Sequence, residues 1–486
     1  MHRLSGRYHT LFSSAPARKR SLAAVLVCVV AALALGSASR GAEATRASAL
    51  RAHCVVPGVT GRTLAAAKKR IRRAHCKVGK IRYRTSMARK KNHVLAQKPG
   101  RGRKLKKGAR VHLVVGRGPA KLPPPPPPPP PARPASVFLS PSGSDGRPCT
   151  KAAPCRSFAR AYQVAQLGQV VELAGGSYGD QTMSGSAKGN GAAIVFRPAA
   201  GAKATTGSVT LNGQNHIEFQ NIAMSDWYIR YAKDVTFRNV TTRFFFVRSS
   251  DSVNILGGSV GPNQDATSPT IGNYAGQAVS TNVIVDGVYF HDIGRQNDPG
   301  GHVECLFLQE SSGVVIRNSK FTRCDIIDLY VSPVQGGPTA SNVLVENNWF
   351  DEPTDGGSYA IDIHPDNGTV PHNFTLRYNS IDSSVLIYTG FTYENMVVDS
   401  NIGRISSCDT PGVTYRYNVW GNEKCGATDR TGAPGFLNPD GPTFDLHLKP
   451  GSAAIDAGNP GSYPARDIDG TARPRGGHPD AGASER

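Results

Sequence analysis

Residues 51 to 118 contain no Asp or Glu, although they hold 22 Lys and Arg. That excludes reading the formal charge of +22 as a property of the whole chain. Residues 137 to 486 hold 26 Lys and Arg against 34 Asp and Glu, so the larger part is mildly acidic. Beyond residue 36 there is no apolar stretch near the ~20 residues of a membrane-spanning helix. The one apolar run, "LAAVLVCVVAALALG", follows Arg18, Lys19 and Arg20 and precedes "SAS" and "AEA". It reads as a secretory signal peptide over 1–44, which leaves a secreted, extracellular or wall-associated protein with no membrane span after its removal. C-x-x-C and other Cys/His patterns with zinc-ligand spacing are also missing, which argues against a zinc site. Once Cys28 is removed, eight cysteines remain in four local pairs: Cys54 with Cys76, Cys149 with Cys155, Cys305 with Cys324, and Cys408 with Cys425. Disulfides between near neighbours are the economical reading in an oxidising compartment.

Helical periodicity is scarce beyond residue 137, where short β-rich runs recur instead. Nine share the pattern N/D/G, apolar, x, apolar, x, N/G/Y/S, from "HIEFQN" to "GVTYRY". Their first apolar residues are Ile217, Val235, Val253, Val283, Val314, Val343, Phe374, Met396 and Val413, at spacings of 18, 18, 30, 31, 29, 31, 22 and 17. Spacings of 17 to 22 suit one turn of a parallel β-solenoid. The longer central ones predict turns with loop insertions, and insertions grouped on one side place a site between about residues 262 and 372.

The basic segment 45–118 combines "VVPGVTGRTLAAAKKRIRRAHCKVGKI" with "LAQKPGRGRKLKKGARVHLVVGRG", a helix packed with strands. Val56-Pro57-Gly58-Val59, Gly61, Leu64, Ala67, Gly79, Gln97 to Gly100, Lys107-Gly108 and Val111 to Val115 make it resemble the PASTA domain. That resemblance implies a non-catalytic extracytoplasmic module associated with peptidoglycan. The all-basic charge adds anionic cell-wall polymers as partners and, at an exported location, no nucleic acid is expected. Residues 119–136, with their proline run, predict a polyproline II rod between two domains.

Residues 137–486 resemble bacterial right-handed parallel β-helix surface proteins of the pectate-lyase-like fold. "CRSFARAYQVA" looks like the helix that caps the N-terminal end of the coil, and "FDLHLKPGSAAIDAGN" resembles their closing segment. The expected fold is therefore mostly β: a right-handed parallel β-helix behind a small α+β PASTA-like domain. The resemblance implies polysaccharide lyases, epimerases, hydrolases and non-catalytic adhesins alike. The polygalacturonase-like series of N-x-D, D-D, G-H-G and R-x-K is missing, as is the R-x-P-x-x-R of the commonest pectate lyases. "SYAIDIHPDNG" is similar to the D-P-H element of alginate epimerases at Asp362 and His364.

With Leu306 and Leu308, Leu329 and Val331, and Ile361 and Ile363 pointing inward, alternation predicts two outward rows. One is Phe307, Asp328 and Asp362; the next is Gln309, Tyr330 and His364. Asp328 and Asp362 would then share a hard cation such as Ca²⁺, with His302 and Glu304 completing the constellation. For an acidic polysaccharide this predicts His364 or His302 as base and Tyr330 or Lys320 as acid. Tyr330, Trp349 and Tyr359 are the sugar-stacking candidates, and Asp325 reads as a corner residue. The function expected is binding, with cleavage or epimerisation, of an acidic polysaccharide at the cell wall; the alternative is a surface adhesin or structural wall protein without catalysis.

Overall fold

All nine repeat motifs begin and end on residues of the left-handed backbone region, φ +51 to +84°. The opening residues are His216, Asp234, Ser252, Asn282, Gly313, Asn342, Asn373, Asn395 and Gly412; the closing ones include Asn221, Asn239, Asn318 and Asn347. Asn, Asp and Gly tolerate that conformation best, which explains the N/D/G and N/G ends of the pattern. Between the two turns each motif is one strand, and the first apolar residues stand in register: Ile217 beside Val235, Val235 beside Val253, Val253 beside Val283 and Val343 beside Phe374.

The computed structural model describes residues 53–84, 91–116, 133–183, 185–273, 276–333, 337–355, 359–366, 368–440 and 443–486. The signal peptide and most of the proline rod expected from sequence lie outside these residues. From 137 onward the chain winds as a right-handed parallel β-helix of three faces. The first face carries the repeat motifs. The second runs through 259–260, 289–293, 320–324 and 349–350, and the third through 244–248, 270–271, 304–308, 327–331, 361–363 and 385–387. Every ladder on these three faces is parallel, so each strand hydrogen-bonds to its equivalents one turn before and after, while the closing strands Phe436–Asn438 and Asp445–Leu448 pair antiparallel.

Inside the coil, like residues stack on like. Phe290, Phe321 and Phe350 form a column with centroids 4.6 and 4.7 Å apart, close to the strand spacing of about 4.8 Å. At the corner between the first and second faces, Asn348, Asn379, Asn401 and Asn418 are fully buried. Each side-chain oxygen accepts the backbone N–H of the preceding turn at 2.9 to 3.1 Å, so that no buried corner amide lacks a partner there.

The outward row of the first face is an ion ladder. Asp286, Arg317, Glu346, Arg377, Asp399 and Arg416 occupy successive register positions with alternating charge. Arg317 Nε donates to Asp286 at 2.8 Å, Arg416 Nε to Asp399 at 2.6 Å, and Arg377 to Glu346. In the C-terminal segment Asn459 Nδ2 donates to Asp399 at 3.0 Å and Ser462 Oγ accepts from Arg377 Nη1 at 3.2 Å.

Helix Phe158–Val164, capped by Ser157 Oγ on the Arg160 N–H, inserts Phe158 and Tyr162 into the N-terminal end of this core. In the basic domain, helix Leu64–Arg73, capped by Thr63, packs Ala67 and Ile71 on strands Lys77–Arg84, Val94–Lys98 and Arg110–Gly116. The four expected disulfides are present. Among the described residues no helix is long and apolar enough to cross a membrane.

Candidate functional site on the third face

The loops 261–269, 294–303, 332–340, 351–360 and 364–371 all join the third face to its neighbours, so they border it on both sides. Its outward row reads Tyr228, Phe246, Thr270, Phe307, Tyr330 and Asp362 in register. This corrects the expected row. The residue between the inward pair Leu329 and Val331 is Tyr330, so Tyr330, not Asp328, lies beside Asp362 and Phe307. By the same step Ser332, not Tyr330, stands between Gln309 and His364.

Asp328 falls one outward position earlier, at the corner where the coil turns from its second to its third face. It is fully buried, its carboxyl within 4.8 Å of the disulfide sulfurs of Cys305 and Cys324, and neither oxygen meets a donor in hydrogen-bonding geometry. Burial, reinforced by the charge of Asp351, holds it well above the usual carboxylate range, so it is a neutral acid packed on a disulfide. Asp328 and Asp362 therefore do not form the cation pair expected from sequence. Asp325 is a corner residue, bound to Arg295 at 3.1 Å and Thr354 at 2.9 Å.

The other expected residues do meet. His302, at the end of the 294–303 loop, bonds through Nδ1 to Glu304. Glu304 is buried and receives Ser268 Oγ at 2.6 Å on its other oxygen. The hydrogen bond to Glu304 raises the His302 pKa against the opposing effect of burial, while 61% of the side chain stays open to solvent. The His302 ring lies 6.0 Å from that of Tyr330, which stacks on Phe307 at 4.9 Å and meets His364 edge-on at 5.9 Å. His364 in turn meets Tyr388 at 4.4 Å.

Asp362 lies in the middle of this group. Burial pushes its carboxyl up to about 7, with His302 pulling down and Glu304 pushing up, and Oδ1 is buried without a partner. Burial lowers His364, so near neutral pH its imidazole is uncharged. Tyr330 and Tyr388 are raised, chiefly by burial, Tyr388 to about 12. Three titratable groups thus gather around Tyr330 with their proton affinities shifted differently: His302 raised, His364 lowered and the Asp362 carboxyl brought up to about 7. Such an arrangement can take a proton from one side of a bound group and return one from another.

Two expected members lie elsewhere. Trp349 is buried beneath the C-terminal segment, its indole N–H donating to Ser484 at 3.2 Å, and offers no face to a sugar. Lys320 sits over that indole, Nζ 3.8 Å from the ring centre, on the second face. Tyr359 is half-buried and near enough to Tyr388 to affect its titration. Sequence reading missed Ser268, whose role depends on register between distant segments.

Residues 55–117 match the family model described as the PASTA domain, so the basic domain is a PASTA domain. Among solved structures the chain is similar to a pectate lyase at 16% identity and a TM-score of 0.44, covering 72% of this chain and 97% of that one. It is similar to a rhamnogalacturonan lyase at 9% identity and 0.38, covering 63% and 91%. For a surface adhesin of Streptococcus pneumoniae the values are 13% and 0.37, with 53% and 78% covered. No curated protein sequence matches.

Proposed function

We propose that the third face binds an acidic polysaccharide and abstracts the proton next to the carboxylate of a uronic acid, the step shared by β-elimination and C5 epimerisation. The observation that carries this reading is Asp362, held near neutrality beside Tyr330 in register, with His302 of the His302–Glu304 pair and His364 both set around the Tyr330 ring. Such a proton is weakly acidic until the adjoining carboxylate is neutralised. The His302 imidazolium, fixed by Glu304, supplies that charge. His364 takes the C5 proton, and the Asp362 carboxyl delivers one to the leaving oxygen or to the opposite face of C5. Phe307 and Tyr330 form the stacked shelf under the sugar.

The rest of the chain suits such a task outside the cell. The signal peptide over 1–44 exports the protein, and the proline stretch over 119–136 spaces the PASTA domain from the β-helix domain over 137–486. The PASTA domain, all of whose charged residues are basic, holds the protein to anionic wall polymers, so retention on walls should weaken as salt rises.

The deciding measurement incubates the full mature chain with pectin, alginate and glycosaminoglycans in D₂O. Unsaturated uronate absorbance and C5 hydrogen exchange are followed together, because the first reports elimination and the second also reports epimerisation. Exchange lost in His364→Ala is expected. Binding without either signal on any of these polymers would sink the catalytic reading and leave an adhesin.

A further inference from the structure

The PASTA domain carries charge of one sign with nothing of its own to balance it. Its sheet sets Val111 and Leu113 against the helix, so Arg110, His112 and Val114 point to the opposite, open side. Register adds neighbours there: Lys77 beside Arg110, Lys98 beside His112, and Arg82 and Ala96 on either side of Val114. All of these but Val114 are exposed.

Paired register places Lys77 and Arg110 on neighbouring strands about 4.8 Å apart, and like charges so placed repel. Among the described residues neither these two nor Arg82 and Lys98 has a side-chain hydrogen bond or ion pair within the chain, and residues 51 to 118 contain no carboxylate. The helix cations differ in kind: Arg70, Arg72 and Arg73 occupy its last turn, where the helix dipole favours positive charge. The sheet cations have no such internal counterpart, so what offsets their repulsion comes from outside.

His112 is fixed in their midst. Its ring lies against Gly79, where a β-carbon would come within 2.8 Å of Nδ1, and Nδ1 accepts the Lys80 N–H at 3.0 Å. An accepting nitrogen holds no proton, so Nε2 carries the N–H and adds a donor to the four cations.

What this surface lacks narrows the anion. Tyr83 is the only Phe, Tyr or Trp between residues 53 and 116, and its register with Val115 puts it on the helix side. Sugar rings and nucleobases gain much of their affinity by stacking on such side chains, and the open side offers none. A phosphodiester chain needs only charge and donors, met again at each repeat of its backbone.

We propose that Lys77, Arg82, Lys98, Arg110 and His112 form a docking track for a linear phosphodiester polymer of the cell wall, held by its phosphates. This rests on the PASTA domain's role as a wall anchor proposed above, and it names the surface and the class of polymer.

The test uses the mature full chain and three labelled polyanions matched in charge: oligo(glycerol phosphate), oligogalacturonate and double-stranded DNA. Binding is followed by fluorescence polarisation over a salt series. Lys77→Gln with Arg110→Gln should weaken oligo(glycerol phosphate) about tenfold or more and lower the slope of log affinity against log salt by about two, one for each cation removed. Lys69→Gln with Arg72→Gln removes the same charge from the helix and should keep affinity within about twofold of the parent. Lys77→Arg with Arg110→Lys should keep the affinity, which separates lost charge from a lost fold.

Equal loss in the two Gln pairs would overturn the track, since net charge alone would then account for binding. Tighter binding of oligogalacturonate or of DNA than of oligo(glycerol phosphate) would do the same. Salt-insensitive retention on isolated walls would remove the anchor itself, whereas salt-sensitive retention with equal loss in the two pairs removes only the track. Loss confined to the open-side pair supports it, whatever the third face of the β-helix does.

Discussion

Along the first face the outward side chains alternate acid and base from Asp286 to Arg416 and lie partly under the C-terminal segment. Along the third face the outward row is Tyr228, Phe246, Thr270, Phe307, Tyr330 and Asp362, mostly aromatic, with the His302 side chain beside it 61% open to solvent. Both rows hang on the same repeating backbone and obey the same register. The difference lies in what register brings together: the first face sets acid against base, whereas the third stacks rings and gathers His302, Asp362 and His364 around Tyr330.

The largest effect should come from breaking the self-neutralised row. Glu346→Ala would leave Arg317 and Arg377, its two neighbours in register, facing each other across a partly buried gap. Loss of about 2 to 3 kcal/mol is expected, read as a fall in the denaturation midpoint, with ligand binding on the third face intact. Equal stability would mean that the ladder is decoration.

Next in size is Asp362→Asn, which keeps shape and removes the titrating proton. The C5 exchange rate should drop about a hundredfold or more. In the parent, the rate should rise as His364 loses its proton and fall above about pH 7 as Asp362 ionises, and the falling limb should vanish in the variant. A falling limb retained in the variant would assign the acid elsewhere.

The smallest effect concerns Asp328. Its folded pKa is raised, so the folded state binds the proton more tightly than the unfolded chain does. Stability is therefore highest below the unfolded carboxyl value of about 3.9 and declines as pH rises toward the folded value. Asp328→Asn should flatten this decline and raise the melting temperature at pH 7 by a few degrees. A parent whose melting temperature climbs with pH over that range would contradict the burial of a neutral acid.

Much of this architecture was readable from residues because the coil repeats its constraints. Left-handed turns select Asn, Asp and Gly at both ends of a motif, and the stacked interior selects apolar residues between them, so each of the nine motifs announced one rung. His302, Glu304, Tyr330, Asp362 and His364 could be named because insertions clustered around their turns. Asp328 was placed in the wrong row because outward and inward residues differ by one step, and a β-rich run does not say where its strand begins. Trp349 was misjudged since nothing local in "NNWF" reveals that the chain returns more than a hundred residues later to cover it.

The left-handed residues that bracket every first-face strand have a consequence for how such a protein changes over generations. They act as phase markers. A single inserted residue between Asn342 and Asn347 would rotate every following side chain out of phase, and selection would remove it. Duplication of a whole rung, from one left-handed opening residue to the next, leaves the phase untouched and lengthens all three faces together. The third face can thus grow only in whole rungs, each adding one strand step of about 4.8 Å, so its length is inherited as an integer.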